Sequence, residues 1–329
     1  MIILHLVMSN DFAGIEQHVN ELALMQMESN EVHIISSNEI AHQFNQNLNV
    51  ISINNFGRRS LFNIYKLFKI IKKLNPHIIH THGSKTTQII KIIKPRLNAK
   101  YACTIHGIKS KTNIYEHADI IIGVSDKTIK SIKNKALVIN NWWNPAYKEH
   151  SIPNNSKPKF AIAIGRLEKV KGFDQLIKSW EGVDSKLLII GSGGEKNSLN
   201  QLIENLKLTH KIEIVDEVSS SDLVNYYKQA SVLIVSSLRE GGPRVALEAL
   251  YMKVPVISTN VGHMNKILPK EFLAEPNNQT ALKELIVKYV NKMYLFDQSS
   301  IFEYVSEEFS LESQSKKILK AYEEALSRS

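Results

Sequence analysis

The segment from Ser237 to Glu248 carries residue types that could hold a phosphorylated, hydroxyl-rich ligand. It reads Ser237-Leu238-Arg239-Glu240-Gly241-Gly242-Pro243-Arg244-Val245-Ala246-Leu247-Glu248. Adjacent glycines let the backbone approach a ligand closely, and Pro243 suits the first turn of a helix, where N–H groups and the helix dipole favour anions. Glu240 in the loop and Glu248 about one turn into the helix could accept hydrogen bonds from two sets of sugar hydroxyls. The alternative is an ordinary tight turn flanked by two acids.

Two basic side chains in a second loop could stabilise a phosphate leaving group. The stretch Ile164–Phe173 runs from a strand into a helix and contains Gly165, Arg166 and Lys171. A departing diphosphate gains negative charge, which fixed guanidinium and ammonium groups can stabilise as a metal would elsewhere. The sequence contains no Asp-x-Asp triplet of the kind that holds a divalent ion, so we expect no metal ion and no cofactor. Solvated basic side chains are the alternative.

A glycine-rich turn follows a third strand. The stretch Leu188–Glu195 places Gly191 and Gly193 directly after an apolar run. A third glycine, Gly194, follows at once, which departs from the dinucleotide-binding fingerprint and disfavours NAD. We interpret the turn as a close approach to a nucleotide, and a plain entry into a helix is the alternative.

In the first half of the chain, polar residues again follow apolar strands. His106 comes after Ala102–Ile105, and Gly14 comes shortly after the first strand. His80-Thr81-His82 and Gly123-Val124-Ser125 occupy similar positions. His106 could hydrogen-bond a sugar, although an isolated histidine is more often structural.

These loops require elements that bring them together, and the chain alternates short β-rich runs with amphipathic segments. The strands that we predict are Ile2–Val7, Glu31–Ile35, His77–His80, Ala99–Thr104, Ile120–Gly123, Phe160–Ile164, Lys186–Ile190, Ile212–Val215, Val232–Val235 and Val254–Ile257. Such alternation is typical of βαβ units around a parallel sheet. It restarts after residue 157, which predicts an α/β protein with two doubly wound, Rossmann-like domains. Ligands bind beyond the carboxyl ends of parallel strands, so we expect the two domains to face a central cleft.

The sequence predicts two main domains, residues 1–150 and residues 151–310. The proline- and asparagine-rich stretch from Asn144 to Pro158 predicts a linker between them. Residues 311–329 predict a helix with apolar positions at Ile318, Leu319, Tyr322 and Leu326.

Composition and targeting features favour a globular cytoplasmic protein. Of 329 residues, 43% are hydrophobic and 22% are charged. The one cysteine, Cys103, lies in an apolar run and should pack as a small hydrophobe in a reducing compartment. We find no basic leader and no apolar run of the ~20 residues that a membrane span needs.

The positive charge is concentrated in the first half of the chain. The net charge is +9, and residues 1–150 hold 18 Lys and Arg against 10 Asp and Glu. The segment Arg58–Leu74 is amphipathic and basic, so we expect it either to meet an anionic membrane surface peripherally or to cover the sheet with solvated lysines. No zinc spacing or RNA-binding aromatic pattern accompanies the charge, so nucleic acid is not expected.

The motifs resemble, in order and spacing, those of the retaining GT-B glycosyltransferases of family 4. The matching segments are Thr104-Ile105-His106-Gly107, Gly165-Arg166 with Lys171-Gly172, Gly191-Ser192-Gly193, and Glu240-Gly241-Gly242-Pro243 with Glu248. The resemblance implies a metal-independent transfer of a hexose from a nucleotide sugar, with UDP favoured over GDP, to a glycan or lipid-linked acceptor. Assembly of surface polysaccharide or lipopolysaccharide is the expected setting.

The resemblance also implies site residues. Glu240 would lie beside the donor hexose, Glu248 on the ribose, Arg166 and Lys171 on the diphosphate, His106 near the sugar, and Gly14 at the catalytic centre. The remaining donor-site residues would be Gly165, Gly191, Gly193, Gly241, Gly242, Pro243, Arg244 and Val245. The resemblance further implies that residues 1–150 bind the acceptor and residues 151–310 bind the nucleotide sugar. In that family the last helices cross back onto the first domain.

The sequence also departs from the family pattern. Gly241-Gly242-Pro243 replaces the commoner Gly-Phe-Gly, so Arg244 could alter the choice of donor. Before the second domain, Ile139-Asn140-Asn141-Trp142-Trp143 replaces Pro-Asn-Gly, and the two tryptophans could stack on a sugar or pack the domain junction. A nucleotide-sugar epimerase of the same architecture and a catalytically silent sugar-nucleotide-binding partner are the alternatives.

Overall fold

The computed structural model of the protein describes residues 1–150, 160–292, 295 and 297–328. The chain forms two compact units. Unit 1 consists of Met1–Asn141 together with Leu311–Ser329, and unit 2 consists of Trp142–Ser310. Much of the predicted linker, from residue 151 to Pro158, lies outside the described residues.

Unit 1 contains a parallel sheet of seven strands with the order β3-β2-β1-β4-β5-β6-β7. The strands are β1 (Ile2–Val7), β2 (Glu31–Ser37), β3 (Asn49–Ile53), β4 (Ile78–His82), β5 (Lys100–Ile105), β6 (Ile120–Gly123) and β7 (Leu137–Val138). The helices are α1 (Gly14–Met27), α2 (Asn38–Ala41), α3 (Leu61–Leu74), α4 (Ser84–Ile93), α5 (Asp126–Ile129) and α13 (Leu311–Ser327). The central strands β1, β4 and β5 are buried, and polar side chains such as His80, His82 and Thr104 are buried in them beside the apolar ones.

Unit 2 contains a second parallel sheet, of six strands, with the order β10-β9-β8-β11-β12-β13. The strands are β8 (Phe160–Ile164), β9 (Leu187–Ile190), β10 (Ile212–Val215), β11 (Ala230–Val235), β12 (Val256–Thr259) and β13 (Leu273–Ala274). The helices are α6 (Phe173–Ser179), α7 (Lys196–Asn205), α8 (Ser220–Tyr227), α9 (Arg244–Tyr251), α10 (Met264–Ile267), α11 (Gln279–Tyr289) and α12 (Ser299–Glu308). The prediction of two doubly wound parallel sheets is confirmed.

The order in which successive strands join the sheet reverses between β1 and β4 in unit 1 and between β8 and β11 in unit 2. In register, Ile3 lies beside Val32 of β2 on one side and Ile78 of β4 on the other. In unit 2, β8 lies between β9 and β11. The crevice at such a reversal, beyond the carboxyl ends of the strands, is where doubly wound sheets bind ligands.

The helix α13 packs within unit 1, against α1 and the strands β5 and β6. Its residues Leu311, Ile318, Ala321 and Tyr322 are buried there. Cys103 is also buried in the core of unit 1, as predicted. Among the residues that the structure describes, no helix combines the length and the apolar character needed to cross a membrane.

Candidate functional site

Two loops of unit 2 follow the neighbouring strands between which the strand order of its sheet reverses. We call residues 165–172, which include Arg166 and Lys171, the basic loop, and residues 236–243, which include Glu240, the glutamate loop. The basic loop follows β8 and the glutamate loop follows β11, and the two are joined by backbone and side-chain hydrogen bonds. The Leu238 amide donates to the Val170 carbonyl at 2.8 Å, and the Ser236 hydroxyl donates to the Lys171 carbonyl at 2.9 Å. These hydrogen bonds hold the loop of Lys171 against the loop of Glu240.

Lys171 and Glu240 form an ion pair. The Lys171 Nζ lies 2.5 Å from Glu240 Oε1, and their side chains are only 19% and 17% exposed. The Ser237 hydroxyl donates to the same oxygen at 2.9 Å. Because both partners are largely withdrawn from water, screening is weaker than for a surface pair, and the two charges fix each other's position.

Arg166 belongs to the same loop but is oriented differently. Its guanidinium lies 2.7 Å from Glu168, and its side chain is 69% exposed. In this structure Arg166 therefore pairs with its own loop, whereas Lys171 pairs with the glutamate loop. The sequence analysis treated the two cations as equivalent, and the structure distinguishes them.

The second acid, Glu248, is held on the helix α9. Tyr227 of α8 donates its hydroxyl to Glu248 Oε2 at 3.1 Å, and Arg244 Nε lies 4.0 Å from Oε1. Burial, together with the neighbouring Glu248 carboxylate, raises the pKa of Tyr227 well above its usual range, so the phenol stays a donor. The helix α9 begins at Arg244 with Pro243 as its N-cap, so Pro243 lies directly before the first helical turn rather than within it.

The glycines of unit 2 allow its loops to approach each other. A Cβ at Gly191 would lie 2.0 Å from the Gly165 carbonyl oxygen, and one at Gly193 would lie 2.6 Å from the Leu167 carbonyl oxygen. At Gly262 a Cβ would lie 2.9 Å from the Gly241 carbonyl oxygen. Loop packing thus requires Gly191 and Gly193, and their approach to a nucleotide stays a prediction.

Gly14 behaves differently. It begins α1, and a Cβ built on it would meet no atom within 4 Å. The protein's own packing therefore does not require glycine at this position. Such open space beside a helix start is compatible with the predicted approach of a ligand.

The adjacent tryptophans are packing residues. Trp142 and Trp143 are both buried. Trp143 stacks on Tyr251 of α9 with ring centroids 3.8 Å apart, and its indole N–H donates to the Ser306 carbonyl at 3.3 Å. Of the two roles considered for them, the structure supports packing rather than stacking on a sugar.

In unit 1, His106 lies at the edge of a group of histidines around the carboxyl ends of β1, β4 and β5. His106 Nε2 lies 3.2 Å from His82 Nδ1, and His82 Nε2 lies 3.1 Å from His5 Nδ1. His5 Nε2 in turn lies 2.8 Å from Gln26 Oε1. His106 is half-buried, whereas His5 and His82 are fully enclosed.

His5, His80 and His82 are neutral at physiological pH because their pKa values are lowered. Burial lowers the pKa of His5 to about 4, against a small opposing effect of its hydrogen bond to Gln26. Burial, followed by repulsion from neighbouring imidazoles, holds the pKa values of His80 and His82 well below the usual range. A charged imidazole would lose its hydration there without gaining an anion.

Two trios in this group, His5 with His80 and His82, and His18 with His82 and His106, have ring nitrogens close enough to share a metal ion. In the first trio every ring nitrogen already has a neighbour within hydrogen-bonding distance. His80 Nδ1 lies 2.5 Å from the Tyr322 hydroxyl, and His80 Nε2 lies 2.7 Å from the Thr104 hydroxyl. A metal would have to displace these contacts, so the arrangement favours hydrogen bonding over coordination.

In the sequence, His80 and His82 are recognisable only as polar residues at a strand end, and His5 and His18 are not among the predicted site residues. The available signal was a histidine inside the apolar run of β1, which must find a polar partner when it is buried. The partners come from α1, β4 and the loop after β5, so their proximity depends on the sheet order rather than on local spacing.

Comparison with known proteins identifies two family models that match consecutive parts of the chain. Residues 12–140 match the model described as Glycosyltransferase Family 4, and residues 148–297 match Glycosyl transferases group 1. An uncharacterized glycosyltransferase of Methanocaldococcus jannaschii is 29% identical over 98% of this chain and 99% of its own length. The capsular polysaccharide biosynthesis glycosyltransferase CapM of Staphylococcus aureus is 34% identical over 44% of this chain and 39% of its own.

Solved structures share the fold over the full chain. A glycosyltransferase from Rickettsia africae superimposes with a TM-score of 0.85 at 23% identity, covering 100% of this chain and 99% of that one. The Anabaena protein HepE, in complex with UDP-glucose, gives a TM-score of 0.81 at 17% identity, covering 98% of this chain and 100% of that one.

Proposed function

Because the chain belongs to the group 1 glycosyltransferases and has the GT-B fold, we propose that it moves a hexose from a nucleotide diphosphate sugar to a glycan or lipid-linked acceptor. The proposed transfer retains the anomeric configuration and needs no metal ion. The observation that carries the proposal is the ion pair between Lys171 and Glu240 at the carboxyl ends of β8 and β11. This pair presents a cation for a diphosphate beside a carboxylate for sugar hydroxyls.

In this proposal Lys171 stabilises the leaving group. When the bond between the sugar C1 and the diphosphate oxygen breaks, negative charge develops on the diphosphate, and a nearby ammonium stabilises it more in the transition state than in the bound donor. Glu240 holds the Lys171 ammonium in place and accepts hydrogen bonds from the sugar. The nucleophile is the acceptor oxygen, which bonds to C1 on the face that the diphosphate leaves, and its proton passes to a donor phosphate oxygen.

Arg166 is proposed as the second cation for the diphosphate. It must then leave Glu168, and an exposed ion pair of this kind contributes only about 0 to 1 kcal/mol. A diphosphate offers a guanidinium two parallel charge-assisted hydrogen bonds, which outweigh that cost. Glu248, oriented by Tyr227, is proposed to accept the ribose hydroxyls.

The donor and the setting are proposed from the relatives. HepE was solved with UDP-glucose, and CapM is named for capsular polysaccharide biosynthesis. We propose a UDP-sugar rather than a GDP-sugar donor, and an acceptor used in the assembly of surface polysaccharide or lipopolysaccharide. His106 and Gly14 are proposed to contact the transferred sugar.

The test compares Glu240→Gln and Lys171→Ala with changes to an ion pair elsewhere in unit 2. The controls are Asp174→Asn and Lys178→Ala, whose exposed charges lie 3.6 Å apart on α6. A panel of UDP- and GDP-sugars first identifies the donor from which the wild type releases nucleoside diphosphate. Release from that donor should fall by at least ~100-fold in the site variants and stay unchanged in the controls. Circular dichroism checks that the fold is intact.

Wild-type rates in both site variants would refute the assignment. Interconversion of nucleotide sugars without release of the diphosphate would indicate an epimerase, and binding without turnover would indicate a silent partner. A chelator should leave the rate unchanged if no metal takes part.

The helix α3 supports a peripheral contact between unit 1 and an anionic membrane surface. It buries Ile64, Leu67 and Ile71 and leaves Phe62 and Tyr65 67% and 54% exposed. Lysine ammonium groups lie over these exposed rings, Lys66 at 4.3 Å from the Phe62 centroid and Lys69 at 4.8 Å from that of Tyr65. Residues 40–115, which include α3, contain no Asp or Glu, so no acidic residue within this segment offsets the positive charge of the helix.

Each basic residue near an anionic bilayer contributes about 1 kcal/mol, and interfacial aromatic rings add apolar contact. The protein should therefore co-sediment with phosphatidylglycerol vesicles at low salt and not with phosphatidylcholine vesicles. Phe62→Ala and Lys69→Ala should each weaken this binding, whereas Tyr304→Ala, which removes an exposed ring of unit 2, should not. Equal binding by all variants would contradict the contact.

A further inference from the structure

A continuous row of imidazoles leads from a buried amide to the half-buried His106. From Gln26 Oε1 the steps are 2.8 Å to His5, 3.1 Å from His5 to His82, and 3.2 Å from His82 to His106. At each junction one nitrogen must donate and the other must accept. Each neutral imidazole carries a single N–H, so it can donate at one end only.

The amide oxygen at the start of the row sets the direction of every bond. A carbonyl oxygen only accepts, so His5 must place its proton on Nε2 and leaves Nδ1 as an acceptor. His82 then donates from Nε2, and its Nδ1 is left to accept from His106 Nε2. We propose that Gln26, His5 and His82 are positioning residues that fix His106 in the tautomer with its proton on Nε2 and its lone pair on Nδ1.

The state of His106 determines what it can do in the reaction. With Nδ1 as an acceptor, His106 can receive a hydrogen bond from a hydroxyl of the transferred sugar and does not donate to the diphosphate from that nitrogen. This role rests on the proposed function, whereas the tautomer itself does not. The enclosure of His5 and His82 keeps water from supplying competing donors along the row.

A branch of the same group ties the row to the last helix of unit 1. His80 packs on His82 with ring centroids 4.2 Å apart and lies within hydrogen-bonding distance of Thr104 and Tyr322. Because both nitrogens of His80 are engaged by hydroxyl groups, its ring does not supply the proton that links His82 to His106. The direction of the row is therefore set by Gln26.

Nitrogen NMR of histidine-labelled protein in the absence of any substrate tests the tautomer, because protonated and unprotonated ring nitrogens resonate far apart. The His106 signals are assigned by their loss in His106→Asn. We expect Nε2 of His106 to be protonated and Nδ1 unprotonated. A proton on Nδ1, or an even mixture of the two tautomers, would overturn the proposal.

Two substitutions at Gln26 separate hydrogen bonding from packing. Gln26→Met keeps a side chain of similar size and removes the acceptor, so the His106 tautomer should become mixed. Gln26→Leu also removes the acceptor, with a branched side chain, and should give the same mixture if the lost oxygen and not the shape of the side chain is responsible. If the tautomer is the same in Gln26→Met as in the wild type, Gln26 does not set it, and the proposal fails.

Kinetics provide a second measurement. Loss of one hydrogen bond to a neutral group should lower kcat/KM for the nucleotide sugar by at most about tenfold in Gln26→Met, and to a similar extent in Gln26→Leu. In a His106→Ala background, Gln26→Met should have no further effect on kcat/KM. A full additional loss there would indicate a structural role for Gln26. An inactive wild type with the expected tautomer would refute the proposed function and leave this inference intact.

Discussion

Three enclosed imidazoles make the stability of unit 1 depend on pH. His5, His80 and His82 are neutral in the folded protein because burial lowers their pKa values, and they titrate normally once the chain unfolds. Below the unfolded value of ~6.5 the unfolded chain binds protons that the folded chain does not, so stability falls as the pH decreases. Above that value both states are neutral and the effect disappears.

We predict that lowering the pH from 7 to 5 reduces the free energy of unfolding by about 2 kcal/mol through His5 alone, with further loss through His80 and His82. Denaturant titrations followed by circular dichroism measure it. His5→Gln, which cannot titrate, should make the free energy of unfolding less dependent on pH. His42→Gln, at an exposed position, should not. A pH-independent free energy over this range would show that the three histidines titrate alike in both states.

At the residue scale, the sequence identified candidate side chains but not the partners that they contact. Glu240, Lys171 and Glu248 could be selected because acids and bases after apolar strands are recognisable along the chain. Their pairing could not be selected, because it depends on contacts between loops that are distant in sequence. For the same reason the sequence does not show that Arg166 and Lys171 have different partners.

At the scale of elements, the loops after β8 and β9 are in direct backbone contact. The Leu167 amide donates to the Ser192 carbonyl at 2.7 Å, and the Glu195 amide donates to the Leu167 carbonyl at 2.9 Å. The basic loop thus rests on the glycine-rich turn. A change in the backbone of that turn would therefore displace the loop that carries Lys171.

We predict that Gly191→Ala lowers the stability of unit 2 by about 1 to 3 kcal/mol, because its methyl group would overlap the Gly165 carbonyl and the loops would have to separate. Gly194→Ala is the matched control, since its Cβ would meet nothing within 4 Å. All three tryptophans, Trp142, Trp143 and Trp180, belong to unit 2, so fluorescence-detected denaturation reports this unit. Equal midpoints for the two variants would contradict the tight packing.

Most of the strands that the sequence revealed are largely buried, and the exception is β10, a partly exposed edge strand. The three that it missed are β3, which is partly exposed along its length, and β7 and β13, which have two residues each. Continuous apolar runs are visible without any knowledge of the fold, whereas a short or edge strand is defined by the neighbour with which it pairs. Of the four edge strands, the sequence thus revealed β10 and missed β3, β7 and β13.

At the scale of the whole molecule, unit 1 is built from two separated parts of the chain. The helix α13 returns after unit 2 and places the Tyr322 hydroxyl against His80, 242 positions away along the sequence. Removal of α13 would expose the buried faces of α1 and the sheet and leave His80 without this partner. Unit 1 therefore depends on residues that follow unit 2.

We predict that a chain ending at Ser310 loses the cooperative unfolding of unit 1 while unit 2 keeps its own. Circular dichroism should show an earlier transition or a loss of signal, and tryptophan fluorescence should keep the wild-type midpoint. Tyr322→Phe in the full chain should cost about 1 kcal/mol, the contribution of one hydrogen bond. Coincident changes in both signals after truncation would mean that the units do not unfold separately.

The discontinuity of unit 1 also reverses the usual order of maturation on the ribosome. Translation supplies all of unit 2 before the final helix of unit 1 has been made, so the domain that is begun first is completed last. Until α13 has been synthesised, the nascent N-terminal domain exposes the surface that α13 later covers. Chaperones that bind nascent chains should therefore hold this domain until synthesis has passed Ser327.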